Sequence, residues 1–387
     1  MPLDRYMAKL RLYVMLQNIA NGLGQPFISF LAAVNGAEGP LLGVVSSANS
    51  FFWGIIQLPL SYSKANAGRL LLIGNIVLGL FWAMLGAIGG INPVLYTAIY
   101  IVITLLNGVI SFAWLLVMES LSKGSRGRTL AEYSFFGSIG GLAATLAAGL
   151  FIGRSYAAAS YVFYITAAIL MINAINVVGI SIEERPRLPG PSAPPRFYLV
   201  TTLFAMTWSF AWPLFPLAQV YVFNMTATNV AIISVIAGSS TLMLQRRIGS
   251  IVDRHRRLMM FLGRLGLVTF PLAYALSPNV YWLYVANVMA GFTNSVSNTA
   301  YMAYLFDNAR DRNKAIGMYN AVYGAGTLLG SVMGGWVSAA IIPYLGMRKS
   351  LDLLFTADAA ARASVAVLYL TLNDNQLKPT AAAVIKP

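Results

Sequence analysis

Cysteine is absent from this chain, so disulfides, thiolate metal sites and cysteine nucleophiles are excluded together. Histidine occurs once, as His255 within a run of arginines, and only 12 acidic residues are spread over 387 positions. No H-E-x-x-H helix or carboxylate-rich metal motif can be assembled from that stock, which leaves a membrane-embedded enzyme without its usual reactive groups. The nearest approach, Asp307-Asn-Ala-Arg-Asp311, has a basic residue near its centre and falls in a repeated loop. No enzymatic activity, cofactor or metal is expected. Charge of either sign is scarce: 10% of residues are charged, 58% are hydrophobic and the mean hydropathy is +0.69. A water-solvated globule cannot hide that much apolar surface, whereas a chain solvated by lipid needs it.

The apolar residues come in long runs. A hydrocarbon core takes about 20 residues per helical crossing, and windows of that length predict twelve helices: 12–34, 41–62, 70–91, 94–121, 133–153, 160–182, 197–223, 230–248, 258–276, 280–306, 316–342 and 350–372. The first carries Asn18, Asn21 and Gln25, and no small-residue cleavage site precedes it, so a retained helix is expected. Placing the basic residues in the gaps puts 21 on the side of the termini, among them Arg69, Arg126, Arg254, Arg257 and Arg312, against Arg154, Arg348 and Lys349 on the other. Basic residues are retained on the cytoplasmic side during insertion, so both termini are expected inside a plasma membrane. The net charge of +14 then meets anionic headgroups along short inner loops. No nucleic-acid surface is needed to explain it.

Between the sixth and seventh windows, residues 183–196 combine charge with five prolines, the pattern of a semi-rigid connector. Residues 1–182 and 197–387 are therefore expected to be separate six-helix bundles. The halves also repeat. An offset of 186 pairs Arg126 with Arg312, Tyr133 with Tyr319, Gly140 with Gly326 and Gly149 with Gly335. Charge, aromatic and glycine matching at one topological depth indicates an internal duplication.

Two six-helix halves, a central linker and the loop Gly249-Ser-Ile-Val-Asp253-Arg254-His-Arg-Arg257 resemble the major facilitator superfamily, whose signature G-x-x-x-D-R-x-x-R/K follows the second helix of each half. The matching loop of the first half, 60–69, lacks the Asp. The resemblance implies an all-α membrane protein of two pseudo-symmetric bundles, a transporter working by alternating access. It also implies a cavity lined by the first, second, fourth and fifth helices of each half.

Polar stripes at helical spacing support that lining independently, because an unpaired polar group facing hydrocarbon costs several kcal/mol. The candidate substrate-binding residues are Asn18, Asn21, Gln25, Asn49, Trp53, Asn107, Ser111 and Trp114 in the first half, with Trp208, Trp212, Asn294, Asn298, Asn320 and Tyr323 in the second. No Asp, Glu, His, Lys or Arg lies in the middle of these eight helices, which points to a small neutral or lipophilic solute, exported, with uptake of a neutral polar solute as the alternative. Gly249, Asp253, Arg254, Arg257, Glu119, Arg126, Asp307 and Arg312 are expected to form an inner gate, with Glu119 or Glu132 the alternative proton site. Asp358 and Arg362, four residues apart, are expected to neutralise one another within the last helix. Arg264, two turns inside the ninth helix, is expected to snorkel to the inner interface. Glycines 137, 140, 141, 324, 326, 330, 334 and 335 read as close-packing faces. A monomer is expected, with lipid and a small-molecule substrate as partners.

Overall fold

The computed structural model describes residues 3–60, 66–88, 90, 92–121, 126–180, 194–308 and 312–372. Side chains are described within these ranges except at 3–8, 58, 119–121, 126–136, 253, 298, 302, 306, 307, 312–314 and 316.

Twelve helical rods follow one another. The first half holds α1 (Leu3–Gly24, continued through a 3-10 turn at Gln25–Phe27 into Ile28–Val34), α2 (Gly39–Leu60), α3 (Ala67–Ile88), α4 (Pro93–Leu121), α5 (Arg126–Ile152) and α6 (Ala158–Asn173). The second holds α7 (Pro195–Phe210, with Leu214–Leu217 and a π turn at Ala218–Val222), α8 (Ala227–Val252) and α9 (Arg254–Leu276). It ends with α10 (Val280–Asn287 and Met289–Asn308), α11 (Arg312–Leu345) and α12 (Met347–Ala366). Helix α8 runs directly into α9, and His255 (φ −134°, ψ 46°) marks the corner between them.

Helix starts are written locally. Proline opens α4 and sits at the first turn of α7, where its missing N–H costs nothing. Thr226 and Asn229 form a capping box on α8, and the Asn279 carboxamide oxygen accepts from the Tyr281 N–H at the start of α10.

Among the described residues, nine of the rods are long and apolar enough to cross a membrane. The others fall short for identifiable reasons: α1 carries the Asn18–Gln25 polar stripe, α10 is interrupted at Val288, and the apolar part of α5 is Gly137–Ile152. Exposed Ile73, Ile76, Leu80 and Met84 on α3 and Tyr161, Ile165 and Ile172 on α6 give the outer rods an apolar surface suited to lipid.

Packing repeats across the two halves. Helix α1 lies against α5 as α7 lies against α11; α2 meets α4 as α8 meets α10; α3 meets α6 as α9 meets α12. Across the halves, α2 lies along α11 and α8 along α5, which are again equivalent pairs. The glycine faces serve these contacts. A Cβ on Gly22 would collide with the Gly141 carbonyl, and one on Gly334 with the Phe210 carbonyl, so the α1 and α5 backbones touch, as do those of α7 and α11.

Candidate functional site

A cavity of about 420 Å³ opens within the first half, lined by three helices. Helix α1 contributes Tyr13, Val14, Gln17, Asn18, Asn21 and Gln25; α2 contributes Asn49 and Trp53; α4 contributes Asn107, Ile110, Ser111 and Trp114. All eight candidates from the first half are thus brought together. Tyr13, Val14, Gln17 and Ile110 were not foreseen. Gln17 and Tyr13 stand one and two turns before Asn21, so extending the polar stripe of α1 toward its start finds them.

Hydrogen bonds hold several lining amides in defined orientations. Tyr100 Oη donates to Gln25 Oε1 at 2.9 Å, so Gln25 turns its NH2 group to the cavity. Asn173 Nδ2 on α6 donates both to the Tyr13 carbonyl (3.0 Å) and to Gln17 Oε1 (3.3 Å), which leaves Gln17 as a donor too. Asn75 Nδ2 on α3 donates to Tyr13 Oη at 3.1 Å, fixing a ring that lies 5.2 Å from Trp114. Asn18 Nδ2 donates to the Val14 carbonyl at 2.9 Å and offers its own oxygen. The wall therefore presents both donors and acceptors beside aromatic faces. Among the described residues it carries no carboxylate, imidazole or cation.

In the second half the candidates scatter. Trp208 packs edge-on against Trp212 (4.8 Å between centroids) and lies 6.0 Å from Tyr323, which stacks on Tyr319 at 5.7 Å. The stripe of α7 has turned onto its own bundle. Asn294 is exposed, with its Nδ2 3.3 Å from Thr241 Oγ1, and Asn320 sits where α11 meets Gly54 of α2. None of these lines the cavity described. The side chains of Asn298, Glu119, Arg126, Glu132, Asp253, Asp307 and Arg312 lie outside the described residues. Of the remaining gate candidates, Gly249 is helical near the end of α8, and Arg254 and Arg257 are exposed around the α8–α9 corner.

Arg264 corrects the expectation of snorkelling. It is 2% exposed, and its guanidinium lies 4.0 Å from the Tyr301 ring centre, 4.6 Å from Phe204 and 5.6 Å from Tyr369. An arginine near the bilayer centre costs roughly 3 kcal/mol on insertion scales, while a desolvated cation over an aromatic face recovers about 2 kcal/mol. Three rings thus outweigh reaching for the interface. The eight helices expected to line the cavity carry no charge at mid-length in the sequence, but α9 delivers one to the core of the second half.

Asp358 and Arg362 form the intrahelical pair expected, Nε to Oδ2 at 2.7 Å, with both side chains fully buried. The other guanidinium nitrogens donate to the Leu267 and Trp208 carbonyls, each at 2.8 Å. Arg362 thereby ties α12 to α7 and satisfies a carbonyl where α9 loses regular helical geometry at residues 267–268.

The halves are joined at the end of the bundle opposite the termini. Tyr221 Oη donates to the Ala33 carbonyl (3.3 Å), Thr228 Oγ1 to Gly149 (3.0 Å) and Ser331 Oγ to Gly43 (2.8 Å).

The sequence model of the Major Facilitator Superfamily matches residues 197–382. No curated protein sequence matches the chain. Among solved structures, the fold is similar to that of a bacterial homologue of the human lysosomal transporter Spinster in an inward-facing, unoccupied conformation. That similarity has a TM-score of 0.72 at 12% identity, over 95% of this chain and 96% of the other. It is likewise similar to the nucleoside transporter NupG (0.67, 12%, 94% and 99%) and to the human organic anion transporter MFSD10 (0.64, 14%, 95% and 100%). With residues 197–382 matching the Major Facilitator Superfamily by sequence and the whole chain matching these transporters in fold, the chain shares their architecture as an integral multi-pass membrane protein.

Proposed function

We propose that the chain moves a small neutral organic solute by alternating access, the bundles 1–182 and 197–387 rocking about a central site with residues 183–196 as their connector. The observation that carries this reading is the cavity itself: six carboxamides and three aromatic rings with no ionic group among them. A fixed charge on the solute would leave those amides facing an uncompensated ion in a poorly solvated pocket. The charge bias supports termini on the cytoplasmic side of a plasma membrane. Asn18, Asn21, Gln25, Asn49, Asn107 and Ser111 would hold the polar edge of the solute, and Trp53 and Trp114 its flat or apolar face.

Export is the direction we assign, on the aromatic density of the site. The carboxamides favour the second reading, uptake of a neutral polar solute. Reconstituted protein assayed for uptake and efflux of radiolabelled nucleosides, amides, polyols and apolar dyes, with and without a pH gradient, separates the two. Transport confined to ionic compounds would overturn both.

A further inference from the structure

Three buried hydrogen-bond donors in one region of the second half have no acceptor. Arg264 Nε, the Tyr369 hydroxyl and Thr201 Oγ1 are all without a partner, and their residues are essentially inaccessible. They belong to one neighbourhood. The Tyr369 ring lies 5.6 Å from the Arg264 guanidinium and 5.9 Å from the Phe204 ring, and Thr201 stands one turn before Phe204 on α7. Tyr319 and Tyr323 also bring their hydroxyls to the guanidinium. Among the described residues no carboxylate pairs with Arg264: the two ion pairs are Arg348–Asp352 and Arg362–Asp358. The latter is internally neutral, so Arg264 is the one uncompensated charge among the described buried residues.

Aromatic rings and hydrogen-bond acceptors use different parts of a guanidinium. Rings cover its flat faces, whereas its N–H groups donate in the plane, at the edge. Here the faces are covered, the Tyr319 and Tyr323 hydroxyls reach the edge, and Nε is left without an acceptor. Adding hydroxyls, which donate to an anion as readily as to a carbonyl, gives a buried, donor-rich, positively charged cluster.

We propose that Arg264, Tyr369 and Thr201 form a small-anion site inside the second half, separate from the amide cavity and independent of the solute assignment. The covered faces restrict the ligand to a monatomic ion or a single carboxylate group entering at the guanidinium edge. Two sources share that chemistry: free inorganic anion such as chloride, and the carboxylate of an organic acid.

The test uses the full chain in detergent, in HEPES buffer with ionic strength held by a bulky sulfonate. Chloride and, separately, acetate are titrated while the thermal unfolding midpoint is followed, and chloride-36 binding is measured by equilibrium dialysis. The expected result is a saturable rise in the midpoint and about one anion bound per chain. Saturation by chloride assigns the inorganic source; saturation by acetate alone, the carboxylate. Arg264→Met should abolish the response. Tyr369→Phe and Thr201→Val each remove one oxygen or its equivalent from a packed side chain, and each should weaken binding about tenfold, the scale of one hydrogen bond to a charged group. They keep the test decisive if Arg264→Met does not fold. The proposal is overturned if wild-type protein shows no saturable response to either anion, or if Tyr369→Phe and Thr201→Val bind as wild type does. The readout is binding, so a failure to find transport of neutral solutes leaves it untouched.

Discussion

The two bundles share a plan and differ in what they bury. Among the described residues, every polar side chain buried in the first is uncharged, from Ser47 to Asn173, and carboxamides of this half open onto a cavity. The second buries Arg264, Asp358 and Arg362, and its aromatic stripe closes on itself through Trp208, Trp212 and Tyr323. Duplication therefore preserved helix contacts while the chemistry inside diverged. Contacts between rods depend on glycines that let backbones touch, such as Gly22 against Gly141 and Gly334 against Phe210, and those survive substitution elsewhere. Interior chemistry depends on single side chains.

Four variants probe that division. The largest effect is expected from Asp358→Ala, which leaves Arg362 buried and unpaired and should destabilise the protein by about 3–5 kcal/mol, read as a lowered unfolding midpoint in detergent. An unchanged midpoint would mean that the second half tolerates uncompensated charge as easily as the first tolerates none.

A smaller effect is expected within the cavity. Asn107→Leu should weaken solute affinity at least tenfold with little change in unfolding, whereas Asn294→Leu on α10 should stay within about twofold of wild type, because only Asn107 lines the cavity. Equal losses at the two positions would restore a symmetric site. The smallest is Tyr100→Phe. Losing its hydrogen bond frees Gln25 to turn its oxygen inward, and affinity should shift by about 1 kcal/mol, most for solutes that rely on accepting from that NH2 group. A uniform loss across solutes would point to packing rather than orientation.

Much of this was legible before any coordinates. Asn18, Asn21 and Gln25 recur at helical spacing in an apolar run, and a stripe of that kind has to face protein or water, so the first-half cavity followed from periodicity. The pair Asp358–Arg362 followed from a spacing of four. Arg264 did not follow. A lone arginine two turns from a helix end satisfies the rule for snorkelling, and nothing local contradicts it. Its burial depends on Phe204, Tyr301 and Tyr369, which come from three other helices. The same holds for Trp208 and Trp212, whose stripe resembles a cavity face until Tyr323 of α11 packs beneath it.

Residue order alone was enough for the number of rods, their approximate ends and the repeat, since each depends on hydropathy and turn chemistry within a short window. Three-dimensional packing was needed to choose which polar stripe borders open space and where a buried cation rests. Both depend on how far each helix is rotated about its axis, and that rotation is set by partners distant in the chain, such as Asn173 holding Tyr13 and Gln17 or Arg362 holding the end of α9.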